Sequence, residues 1–275
     1  MKFSVSSYKK TLFIAIVMLF AMSQSIFAQT EKPKNLLLYD TQPYHFGFII
    51  AGNSMFYSFD YKENYQLQPH TGEDELGGLT NQGKDSYNFD PTHTYYTRCI
   101  TPTRHVGFTV GVVGDLRLSK YFNLRLIPSL SFNTRVVSFD FYDATDTINT
   151  YFSIDKEIFS TFMEFPLHVK YRSKRHNNIA AYMIAGVNFK LDLASQKRRD
   201  KSEGSDVITN IKVKRTDIAA EVGAGFDFYT YFFKFGIEAK MSWGLLNVMD
   251  PQGIIYDSSL NGLHNRMFQL SLTFE

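Results

Sequence analysis

The chain carries one cysteine in 275 residues, Cys99. A lone thiol cannot close an internal disulfide, so a disulfide framework is excluded even if the protein is exported. Beyond residue 28 no apolar run approaches the roughly 20 residues that a membrane helix needs. A fifth of the residues are charged and the mean hydropathy is slightly negative, which rules out a bundle of membrane helices. A basic excess is missing too. Without its first 28 residues, which hold three Lys and no acid, the chain has 26 Lys and Arg against 27 Asp and Glu, a net charge of −1. That argues against a nucleic-acid partner. No set of His or acidic residues has metal-ligand spacing, and neither a metal nor a cofactor is expected. What remains is a soluble protein or a membrane barrel. The 26 Phe, 17 Tyr and 17 Gly favour strands.

Residues 1–28 form a separate object. Lys2, Lys9 and Lys10 precede the apolar stretch "TLFIAIVMLFAM" and then "SQSIFAQ". A basic start, a short apolar region and a small residue predict a signal peptide cut between Ala28 and Gln29. No Cys near the cut offers a lipid anchor. Residues 29–43 are then a periplasmic segment, and 44–275 the folded domain.

The domain alternates with period two. In "MEFPLHVKYR" (163–172), Met163, Phe165, Leu167, Val169 and Tyr171 interleave with Glu164, Pro166, His168, Lys170 and Arg172. This predicts a strand whose faces meet different surroundings. The same weave runs from Val106 to Leu118, from Leu124 to Phe132, from Ile179 to Asp192, from Asp217 to Phe228, from Phe233 to Trp243 and through "FQLSLTFE" at the end. A less regular first strand begins at "YHFGFII". The expectation is eight antiparallel strands.

The connections alternate as well. "SKYFN" (119–123), "SKRHNN" (173–178) and "YTYF" (229–232) are short, whereas 61–104, 137–157, 192–216 and 246–266 are long. Outer-membrane barrels have short periplasmic turns, long external loops and both ends in the periplasm. The long connections fall where an eight-stranded barrel needs its external loops. Fold class is therefore all-β, an eight-stranded antiparallel transmembrane outer-membrane β-barrel. The oily set faces lipid. The interior polar cluster is expected to be Arg117, Arg125, Glu164, His168, Lys170, Arg172, Glu221, Glu238 and Lys240. Period alone also permits a soluble barrel with the faces reversed. Aromatics at strand ends (Tyr121, Phe122, Tyr171, Tyr229, Tyr231, Phe232) suit a membrane girdle and favour the lipid-facing form. Pro128 and Pro166 each remove a ladder donor, so a bulge or local irregularity is expected at each.

Once these motifs are in order, the chain resembles a known family. "STFMEFPLHVKYRSKRHNNIAAYMIAGVNFKLDLAS" (160–195), "NLRLIPSLSF" (123–132), "DIAAEVGAGFDFYTYFFKFGIEAKMSWGLLNV" (217–248), "YHFGFIIAGNSMFY" (44–57) and the closing "LSLTFE" look like the PorT outer-membrane barrels, called SprT in gliding bacteria. The resemblance implies a non-enzymatic component of the type IX secretion system. It would be needed for cargo with sorting domains to reach the cell surface, and would work with other secretion-system proteins. The stretch 62–102 matches nothing in that family.

The alternatives are an outer-membrane barrel enzyme acting on lipid A or peptides, and a structural or adhesin barrel. Glu164 and His168 share a strand face, but four residues put them roughly 13 Å apart, beyond hydrogen-bond reach. No Ser-His-acid set assembles from spacing, so no catalytic residue is expected. The basic "QKRRDKSE" (196–203) and "IKVKR" (211–215) are a solvated loop or a contact for lipopolysaccharide or a partner.

Overall fold

A computed structural model of the chain describes residues 33–71, 92–145, 151–194, 213–251 and 258–275. The cut at Ala28 and Gln29 and the basic stretch 196–203 lie outside the described residues. From Asn35 onward the chain is one compact unit. Its strands are β1 (Tyr44–Tyr61), β2 (Pro69–Thr71), β3 (Thr94–Arg117), β4 (Phe122–Leu126), β5 (Ser129–Asp143), β6 (Tyr151–Arg172), β7 (Ile179–Asp192), β8 (Thr216–Tyr229), β9 (Lys234–Gly244) and β10 (Leu260–Phe274). All pairings are antiparallel, and β1 pairs with both β10 and β3, which closes the sheet into a ring. Closure removes the free edges that hydrocarbon cannot solvate.

The expected eight strands are corrected to ten. One addition is β2, a short strip on β3 among the long connections. The other comes from a single place in the ring, between β3 and β6, which β4 and β5 share. At the prolines the structure has a local irregularity and not a bulge. Leu126 pairs with Leu167 and Ser129 with Glu164, so neither strand gains a residue. Ile127 and Pro128 on one side face Phe165 and Pro166 on the other, with the Ile127 N–H donating to the Pro166 carbonyl at 3.2 Å. One gap in the ladder accommodates both missing donors.

The two faces separate as lipid requires. Phe48, Ile50, Val112, Leu167, Val169, Met183, Val187, Val222, Phe226, Leu270 and Leu272 are exposed on the outer wall. Arg125, His168, Lys170, Glu221, Asp227 and Glu238 are buried inside. In water this arrangement would expose the oil and bury the charge, so the soluble alternative is rejected.

Several strands run further than the alternation indicates. β3, β5 and β6 extend into the stretches 61–104 and 137–157 expected as loops, and β10 starts inside 246–266. Along these extensions the chemistry of the faces exchanges. In β5 the inward residues change from Ser131, Asn133 and Arg135 to Val137, Phe139 and Phe141, while the outward ones change from Leu130 and Phe132 to Ser138 and Asp140. The inward apolar residues join Tyr57, Tyr95, Ile100, Ile154, Ile158, Leu260 and Leu263 in one cluster. Past the membrane the wall stands in water and needs an ordinary oily core.

Candidate functional site: a charged interior and its strap

The interior begins at Gly186. A side chain there would put its Cβ 2.0 Å from the Leu167 carbonyl oxygen, so only glycine allows this approach. Gly186 stands between His168 on β6 and Glu221 on β8 in the register. The missing side chain lets His168 Nε2 reach across it to Glu221 Oε2 at 2.8 Å. Lys240 Nζ lies 2.8 Å from the same oxygen. The Asn188 amide donates to Glu221 Oε1 at 2.8 Å and to Glu164 Oε2 at 2.9 Å. Glu164 and His168 do not touch, as their spacing predicts, yet Asn188 and Glu221 join them into one network. Lys190 closes it with Nζ 3.9 Å from Glu164 and 4.0 Å from Glu221.

A second group lies nearer the chain ends. Arg125 binds Glu238 at 2.7 Å and Glu275 at 3.3 Å, and Tyr182 donates to Glu238 at 3.0 Å. Tyr182 reaches so far because Gly225 faces it; a Cβ at Gly225 would lie 2.6 Å from the Tyr182 hydroxyl. Lys170 pairs with Asp227 at 2.8 Å, with Nζ 3.8 Å over the Tyr182 ring, and Lys234 pairs with Glu275. Toward the other end, Asn265 joins Arg135 and Asp217 with hydrogen bonds of 2.7 and 2.8 Å.

Seven of the nine predicted interior residues therefore meet in these networks. Arg117 does not; it is half-buried at its strand end, and its Nε is 3.4 Å from the Ser119 carbonyl. Arg172 lies at the mouth on the side of the chain ends. The named cluster left out Asp115, Asn188, Lys190, Asp217, Asp227, Lys234 and Glu275, although the alternation places them on the inward face, and Asn53 and Arg135 were not assigned to it. Most share the inward phase of predicted neighbours, and that phase is the signal that finds them.

Arg172 belongs to a feature that alternation could not show. The segment ahead of β1 crosses the mouth to the strands on the far side. Asn35 hydrogen-bonds to Asn178 at 2.9 Å and to the Tyr229 carbonyl at 3.0 Å, beside β7, which lies four places from β1 in the ring. Asp40, in a 3-10 turn at Tyr39–Thr41, pairs with Arg172, lies 3.7 Å from Arg175 and accepts from the Tyr229 hydroxyl at 3.0 Å. Tyr39 stacks on His45 with ring centroids 3.9 Å apart and donates to Glu275 at 3.3 Å. Burial pushes the Tyr39 phenol above its usual range, against the pull of the Lys234 ammonium. This segment is a strap whose ionic anchor is one carboxylate, Asp40.

Replacing Asp40 with Ala removes its ionic anchor. We expect chymotrypsin to cut at 36–39 about tenfold faster in Asp40→Ala than in the parent, with the barrel's melting point little changed, since a charged hydrogen bond contributes roughly 1.5–3 kcal/mol. Equal cutting rates would show that the strap is held elsewhere.

The sequence profile of the outer membrane protein beta-barrel domain matches residues 27–250, well over half of the chain. The chain belongs to this family. Its place in the outer membrane follows, and agrees with the apolar outer wall. Among solved structures it is similar to the outer membrane protein OprG from Pseudomonas aeruginosa, at 12% identity and a TM-score of 0.37, covering 83% of this chain and 93% of that one. No curated protein matches it.

Proposed function

We propose that this outer-membrane barrel is a non-enzymatic component of the type IX protein secretion machinery, needed for cargo with C-terminal sorting domains to reach the cell surface. The observation that carries the reading is where the family-like motifs fall. The stretches 160–195 and 217–248 cover most of β6 together with β7, β8 and β9. These strands supply Glu164, His168, Lys170, Asn188, Lys190, Glu221, Asp227, Lys234, Glu238 and Lys240, so the resemblance lies in the charged wall and not in the long loops. That wall is a rigid scaffold that presents the strap on one side of the membrane and the extended strands on the other. His168 is fully buried against Glu221, a packing role that asks nothing of catalysis. The working contacts are then with other secretion proteins and with the lipid around the barrel.

A strain lacking the gene is expected to lose sorting-domain cargo from its surface and to accumulate it in the periplasm, with both effects reversed by the complementing gene. Surface proteomics and periplasmic extracts measure this. Unchanged secretion would overturn the export role and bring the enzyme and adhesin alternatives forward.

A further inference from the structure

The outer wall holds a row of side chains that the interior does not explain. Trp243 on β9 pairs with Arg266 on β10, and Arg266 pairs with Phe56 on β1. On the other side of β1, Met55 pairs with His105 of β3, and Arg104 beside it lays its guanidinium 4.2 Å over the Phe56 ring. Two arginines thus flank one aromatic ring from the strands on either side of β1, with their backbones about 10 Å apart at ordinary strand spacing.

The height of this row gives it meaning. Towards the chain ends, the same outward faces are apolar, with Phe268, Leu270 and Leu272 on β10 and Phe48 and Ile50 on β1. Beyond the row the same faces become polar, with His264 on β10 and Ser58 and Asp60 on β1. Tyr44 to Phe56 spans about 40 Å along a strand, or about 30 Å of height at the tilt of such barrels. The row therefore lies at the hydrocarbon boundary on the side of the long connections, which face outward from the cell. Trp243, the chain's single tryptophan, sits there as an interfacial aromatic does.

Neither Arg104 nor Arg266 has a carboxylate partner among the described residues. The acid above them on β1, Asp60, is engaged by His264 at 3.1 Å. Guanidinium groups at the edge of hydrocarbon need a counter-charge, and their planar forks match phosphate oxygens. We propose that Arg104 and Arg266 clamp a phosphate of an outer-leaflet phosphorylated glycolipid, with Phe56 as the floor between them. The inference depends on the membrane orientation of the barrel and not on the export role.

Trp243 is the reporter that tests it. The full-length protein is reconstituted in phosphatidylcholine nanodiscs, and bisphosphorylated lipid A is added in increasing mole fraction while Trp243 emission is recorded. The parent should give a saturable change. Arg104→Gln and Arg266→Gln should each raise the half-saturation point about fivefold, since a basic residue near anionic lipid contributes roughly 1 kcal/mol. Arg104→Lys and Arg266→Lys, which keep the charge but lose the planar fork, should fall between the parent and the glutamine variants. Dephosphorylated lipid A should give no saturable change, and millimolar inorganic phosphate should not reproduce the response. An equal response to dephosphorylated lipid would overturn the proposal. So would a response to inorganic phosphate alone, or unchanged titrations in glutamine variants that resist SDS as the parent does.

Discussion

Glu221→Ala is expected to destabilise the barrel more than any other single replacement of an interior carboxylate. Glu221 sits against His168, Asn188 and Lys240, and within 4.0 Å of Lys190. Removing its carboxylate leaves buried Lys240 without the only carboxylate within 4 Å of its ammonium among the described residues, and breaks the bridge between the Glu164 and His168 sides of the network. Deleting one partner of a buried ion pair typically costs about 3–5 kcal/mol, because the other charge stays buried and uncompensated. The temperature at which the folded form is lost in cold-to-hot SDS electrophoresis should fall markedly. Adding Lys240→Met to Glu221→Ala should recover part of the loss, since the stranded charge goes with it. A melting point unchanged in Glu221→Ala would mean that the interior charges are not what holds the strands in place.

The next residue carries the complementary expectation. Val222 points away from the network onto the outer wall, midway along β8. Val222→Arg should cost about 2–4 kcal/mol in a bilayer, the range for a basic residue near the midplane of a lipid-facing barrel wall. Urea-refolding equilibria in lipid vesicles measure it. The same change placed near the polar edge of the wall should cost much less. An arginine tolerated at position 222 would argue against lipid on that face.

Alternation made most of this architecture legible. Where a strand keeps oil on one side and charge on the other, as in Met163–Arg172, period two gives both the strand and the direction of each face. It failed where the surroundings change along one strand. Between Leu130 and Phe139 the pairing of β5 with β6 continues without a register shift, but the apolar residues pass from the even to the odd positions. Read as a pattern, that shift of phase looks like the end of a strand. Physically it marks the passage from lipid to water. The ten-strand count has a similar origin, because the interruption at Ile127 and Pro128 is short enough to leave the alternation intact across it.

The interior cluster was legible as a set but not as a network. Strand spacing separates Glu164 from His168, and it cannot show that Gly186 opens a path to Glu221 two strands away. Pairing between strands supplies that information, and a single sequence holds it only through register. The strap had no periodic signal at all. Its hold on the mouth depends on Asp40, Tyr39 and Asn35 meeting Arg172, Arg175, Tyr229 and Asn178, residues far away along the chain.

The most direct test of the inverted barrel is spin-label accessibility along β10. With Cys99→Ser as background, single cysteines are placed at positions 268 to 273, labelled, and reconstituted in phospholipid vesicles. Collision with oxygen, which partitions into lipid, is compared with collision by a water-soluble nickel complex. Labels at Phe268, Leu270 and Leu272 should meet oxygen freely and nickel hardly at all. Labels at Gln269, Ser271 and Thr273 should be immobile and shielded from both. The opposite pattern, with water reaching 269, 271 and 273 and neither reagent reaching 268, 270 and 272, would contradict the account and describe a soluble barrel with an oily core.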